Sequence, residues 1–120
     1  MPIQIKLDAS VIRPGELLKG SVVWDFDSVP LEIILTVSWR TSGKGTEDSD
    51  LILEEEWSPD SKSGERGFEF QMPRGPISVR GNLISIDWQV ECSSKRPNAT
   101  YSVPFVLSQI AGPVRLSLIS

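Results

Sequence analysis

The 120-residue sequence contains no histidine. That absence removes the commonest general base, the commonest metal ligand and every histidine-dependent catalytic triad. Cys92 is the single cysteine, so no intrachain disulfide can form. Its place in an alternating run predicts a small buried hydrophobe. Basic residues are in the minority, 12 Lys and Arg against 16 Asp and Glu, for a net charge of −4. A mildly acidic chain with scattered cations argues against nucleic-acid binding, which needs a clustered basic footprint, and against docking on anionic lipid. No uninterrupted apolar stretch approaches the length of a transmembrane segment. The opening Met1-Pro2-Ile3-Gln4-Ile5-Lys6-Leu7 alternates at once and lacks a charged-then-apolar leader, which predicts a cytoplasmic protein. Asn98-Ala99-Thr100 fits a glycosylation sequon, read without a leader as a chance match in a turn.

What the chain does have is rhythm. Hydrophobic residues make up 39% and charged residues 23%, the balance of an ordinary globular protein, and the length suits one domain over residues 1–120. Apolar residues recur at every second position in eight runs. The inward sets are Ile3, Ile5, Leu7; Leu18, Gly20, Val22, Trp24, Phe26; Leu31, Ile33, Leu35, Val37, Trp39; and the weaker Leu51, Leu53, Trp57. They continue with Phe68, Phe70, Met72; Ile84, Ile86, Trp88, Val90, Cys92; Tyr101, Val103, Phe105, Leu107; and Val114, Leu116, Leu118. A period of two is the signature of strands with one buried face, and no segment has the recurrence of an amphipathic helix.

Turn residues divide the runs. Pro14-Gly15, Ser28-Val29-Pro30 and Ala111-Gly112-Pro113 are short separators, while Ser42 to Asp50, Ser58 to Gly67 and Ser93 to Thr100 read as polar loops. Pro104 falls inside a run on its outward phase, which predicts an edge or a bulge. Gly20 on an inward phase predicts a bulge or a close backbone approach. Short strands at this spacing predict an all-β, antiparallel β-sandwich of seven to eight strands.

Three segments carry a family resemblance. Pro14-Gly15-Glu16 leads into Leu18 and Gly20-Ser21-Val22; Val37 to Thr41 runs into Gly43 to Asp48; and Phe68-Glu69-Phe70 continues through Pro73, Pro76, Ser78 and Gly81 to Ile86 and Trp88. In this order, spanning residues 14 to 90, they make the chain resemble the amino-terminal domain of the arrestin family. The resemblance implies an immunoglobulin-like sandwich and a general interaction role. Arrestins carry two such domains and read phosphate with basic residues on the first strand. Lys6 is the only basic residue in that run here, so no phosphate or receptor site carries over.

Each candidate for chemistry has a plainer explanation. Glu54 and Glu56 share a strand face about 7 Å apart, a spacing some glycosidases use, but no pocket is visible around them in the sequence and a solvated face on a charged edge strand is the better explanation. Glu47, Asp48 and Asp50 are candidate calcium ligands in a loop, without the spacing of a calcium-binding helix-loop-helix. Gly43-Lys44-Gly45-Thr46 lacks the full phosphate-loop pattern. Trp24, Trp39 and Trp88 fall inward, leaving Trp57 as the one tryptophan suited to a sugar platform.

The apolar residues on the outward phase are Val23, Ile34, Ile52, Leu83, Val106 and Ile119. Gathered on one outer face, several of them would form a partner patch of a few hundred Å², on the order of the largest such patches on monomers. Ile34, Ile52 and Val106 are the candidate partner-binding residues. The expectation is a non-catalytic scaffold module without cofactor or metal, binding a protein partner or itself through an outer face or an edge strand. The alternative is a sandwich that binds calcium or carbohydrate through its loops at Glu47 to Asp50.

Overall fold

A pleated chain sends successive side chains to opposite faces, so strict alternation places every second residue in a shared core. The computed structural model describes residues 2–43, 48–80 and 84–108, and among these it is all strand and turn with no helix. The strands are β1 (Ile3–Leu7), β2 (Val11–Ile12), β3 (Leu17–Asp25), β4 (Glu32–Gly43), β5 (Ser49–Trp57), β6 (Ser63–Gln71), β7 (Val79–Arg80), β8 (Ile84–Lys95) and β9 (Ala99–Leu107). Six run nine or twelve residues, β1 has five, and β2 and β7 are two residues each.

They form two sheets. The smaller has the order β1-β3-β6 and is antiparallel throughout. The larger runs β2-β9-β8-β4-β5, with β7 also on β8. Its centre is β4 against β8, paired without interruption from Glu32↔Lys95 to Gly43↔Ile84. The amino-terminal segment visits both sheets. β1 pairs with β3, and β2 then lies parallel to β9 at Val11↔Val106 and Ile12↔Leu107. Between them the Asp8 N–H donates to the Lys19 carbonyl, and the Val106 N–H to that of Ser10.

The core is the layer between the sheets. Ile3, Leu18, Val22, Trp24 and Phe68 from the smaller sheet meet Ile33, Leu35, Val37, Trp88, Val90, Cys92, Phe105 and Leu107 from the larger. Trp88 is fully buried and packs on Phe105 at 5.7 Å between ring centroids. Its Nε1 donates to the Pro76 carbonyl at 2.6 Å, which gives the buried indole the partner it needs and pins the connection after β6. Burial pushes the Cys92 thiol up to about 12, with Glu91 adding to the shift, so the thiolate is suppressed.

Gly20 behaves as its inward phase predicts. A Cβ there would collide with the Lys6 carbonyl and stand 2.8 Å from the Phe68 ring, so β1 and β6 close on β3 only because the side chain is missing. Pro104 pairs with Gln89 of β8, and β2 reaches β9 only from Val106 onward, so the proline sits where β9 has one neighbour.

Three expectations need correction. Leu51 is 50% exposed, because a register shift at Val37/Ser38 inserts Ile52 and puts Leu51 opposite outward Ser38. Leu31 is 56% exposed and precedes β4 instead of lying in it. The polar stretches are not all loop: β4 runs on to Gly43 and β5 takes up Ser49 and Asp50, β6 begins at Ser63, and β8 runs to Lys95 with β9 starting at Ala99. Leu83, Val114, Leu116, Leu118 and Ile119 lie outside the described residues.

Candidate functional site

The inward positions of β4 leave Ile34, Thr36, Ser38 and Arg40 on the outer face of the larger sheet. Register extends this face sideways. Glu56, Ile34, Ser93 and Thr100 form one row; Glu54, Thr36, Glu91 and Ser102 the next; Arg40 and Asp87 line up further along, with Val106 following Phe105 on β9. Ile34 therefore lies at one end and Val106 at the other, two strands apart. Ile52 sits at the bulge on β5, 36% exposed. The structure does not gather these three into one apolar patch: Ile34 lies between Glu56 and Ser93, Ile52 sits at the bulge between Leu51 and Leu53, and Val106 pairs with Val11 of β2. Val23 lies on the other sheet, opposite Gln4 and Glu65.

Charge, not apolar surface, marks the end of this face near Ile34. Glu56 is held above the ordinary carboxylate range by its hydrogen bond with Glu32, then by the charges of Glu32 and Glu54, while Lys95 acts in the opposite direction. Lys95 lies 3.6 Å from Glu32. A neighbouring carboxylate at close range disfavours the charged form of Glu56, which accounts for the direction of the shift. The carboxyls of Glu54 and Glu56 face solvent on an edge strand, which is the plainer of the two explanations the sequence offers.

The side of the sandwich between β5 and β6 holds a more organised cluster. Glu55 falls on the inward phase at the rim and accepts from Arg66 Nη2 at 2.6 Å, joining the larger sheet to the smaller. The Arg66 guanidinium lies 4.6 Å from the Trp57 ring centre, and Trp57 stands 6.2 Å from Trp24. Trp24 donates its indole N–H to the Ser61 carbonyl at 3.2 Å, whereas Trp57 Nε1 is buried without a partner. Gly64 lets Trp24 fold down on β6, since a Cβ there would stand 2.7 Å from the indole. A shallow cleft of about 360 Å³ lies over these groups, with Asp60 and Glu65 on its walls. Arg66 already covers the face of Trp57, so the cluster is built as a latch between sheets and not as a bare sugar platform.

Of the acidic loop, Glu47 lies outside the described residues. Asp48 Oδ1 accepts from the Ser49 N–H at 2.8 Å, and the Asp48 carbonyl accepts from Thr41, so this residue shapes its own turn. Among the described residues no three ligand-type side chains come together to hold a metal.

Sequence reasoning missed the edge formed by β6 and the latch beside it. The phase of Phe68 and Phe70 runs back through Arg66 and Gly64, and that extension was the available signal. It was masked because a glycine and an arginine took the places of apolar residues.

No protein-family model matches the chain, and no curated protein matches it. Among solved structures, that of Spo0M, a sporulation control protein from Bacillus subtilis, is similar with a TM-score of 0.59 at 18% identity. The match covers 88% of this chain and 47% of that one, so the chain spans about half the length of Spo0M. A likeness at this identity speaks for the fold alone, and it agrees with the two all-β sheets: the fold is arrestin-like.

Proposed function

We propose that this chain is a non-catalytic, cytoplasmic protein-interaction module of arrestin-like type, a single sandwich over residues 1–120 that binds a protein partner through an outer sheet face or an edge strand. One observation carries the reading. Both sheets end in long strands, β5 and β6, that are hydrogen-bonded to one neighbour each among the described residues. A row of unpaired backbone N–H and C=O groups on a rigid, well-packed sheet is a template for another chain. The likeness to Spo0M, named as a control protein, fits a regulatory role. Ile34, Ile52 and Val106 serve in this reading as separate apolar contacts in a largely acidic face.

The test is capture from the native host, followed by pairwise reconstitution of each captured protein with the purified chain and a hydrogen-exchange footprint of the complex. The expected result is at least one protein that rebinds and slows exchange on an edge strand or outer face. Failure of every captured protein to rebind, together with a thermal shift caused by calcium or glycans, would overturn the reading in favour of loop-based ligand binding.

A further inference from the structure

The sheet edges of this sandwich are not alike. In the larger sheet β5 carries the bulge at Ile52 and three consecutive carboxylates, Glu54 to Glu56, both of which discourage an added strand. At the other side β9 presents Pro104, which has no N–H to offer, and is then covered by β2. In the smaller sheet β1 is five residues long and bears exposed Lys6.

β6 has none of these guards. Ser63–Gln71 pairs residue for residue with β3 over nine positions, without bulge, proline or lysine. Its three charges are each held by the protein's own groups. Glu65 accepts from Ser21 Oγ at 2.8 Å, Glu69 lies 3.7 Å from Lys19 Nζ, and Arg66 is engaged by Glu55 and Trp57. Gly64 and Gly67 contribute no side chain at all. Among the described residues the edge is thus long, regular and bare.

We infer that the free edge of β6 takes an extended segment of another protein as a fourth strand of the smaller sheet, with basic residues opposite Glu65 and Glu69 and apolar residues opposite Phe68 and Phe70. This rests on the interaction reading above and names the chemistry of its partner. The outward side chains of β6 are Glu65, Gly67, Glu69 and Gln71; Ser21 and Lys19 meet the two carboxylates only from the β3 side, and both stay exposed, so the edge keeps an acidic character with a gap at the glycine. A second copy of this chain is the poorer occupant. Symmetric pairing about Gly67 sets Glu65 against Glu69 twice, pairing about Glu65, Arg66 or Glu69 opposes identical charges, and pairing about Phe68 still gathers the glutamates of both copies on one face. Like charges directly across a ladder destabilise it, whereas Lys or Arg at those places forms favourable cross-strand pairs.

The probe is the peptide acetyl-TVKVTVKVT-amide, whose lysines repeat at the spacing of Glu65 and Glu69. Affinity is read by fluorescence anisotropy and the site by amide hydrogen exchange. The lysine peptide is expected to bind and to slow exchange at alternate amides of β6, while acetyl-TVEVTVEVT-amide binds roughly tenfold more weakly. In the Glu65→Lys/Glu69→Lys variant the preference is expected to reverse, which also shows that the variant is folded. Unchanged β6 exchange at saturating lysine peptide, or equal binding of the two peptides, overturns the assignment. A reconstituted natural partner that protects the outer face of β4 and β8 but leaves β6 exchange unaltered also overturns it, while the interaction reading itself stands.

Discussion

Trp88 concentrates the energetics of this protein in one side chain. It is fully buried at the centre of the larger sheet, tilted against the Phe105 ring, and its indole N–H holds the Pro76 carbonyl. Trp88→Ala empties that space and orphans the carbonyl, at a cost of about 3–5 kcal/mol. Set against a total stability of roughly 5–15 kcal/mol, that threatens folding itself. Ser102→Ala, on the exposed face of β9, is expected to change stability by about half a kcal/mol or less. Urea unfolding of the two variants measures the contrast, and equal midpoints would refute the inward assignment. The inward placing of Trp88, Val90 and Cys92 was readable from phase alone. So was the tight fit at Gly20, because a glycine on a buried phase has few other reasons to be there.

At the scale of the element, β5 shows where such reading stops. A bulge changes which face a residue occupies without leaving any mark in composition, so the period-two pattern puts Leu51 inward while the fold turns it outward. Likewise, Ser63 to Gly67 has no apolar alternation of its own and is drawn into β6 by five pairings with β3, from Asp25↔Ser63 to Ser21↔Gly67. The candidate surface was less legible than the fold for a related reason. Whether Ile34, Ile52 and Val106 adjoin depends on strand order, which is set by pairings between distant parts of the chain. The strand β5 also carries a pH-dependent penalty. Because the Glu56 carboxyl is raised, the folded protein keeps a proton the unfolded chain releases, and stability falls as pH rises from the ordinary carboxyl value through the raised one. Glu56→Gln removes that penalty. Its thermal midpoint is expected to exceed that of the unaltered protein at pH 7, with the advantage fading below about pH 4, where the carboxyls are protonated in both states. A differential scanning calorimetry series over pH reads the effect; an advantage that grew on acidification would contradict it.

For the whole molecule, the decisive fact is that the two sheets share one buried layer. Neither has an apolar interior of its own, so neither should persist without the other. Urea unfolding followed by tryptophan fluorescence and by far-ultraviolet circular dichroism is therefore expected to give coincident curves. Separated curves would mean that one sheet outlives its neighbour. The path of the first strands sharpens the point. β1 belongs to one sheet and β2 to the other, and only exposed Asp8 to Ser10 lie between them. This short tether works as a stitch through both layers of cloth. A single protease nick there would leave every other strand intact, yet the seam along that side would then be held by side-chain packing and the remaining ladder bonds alone.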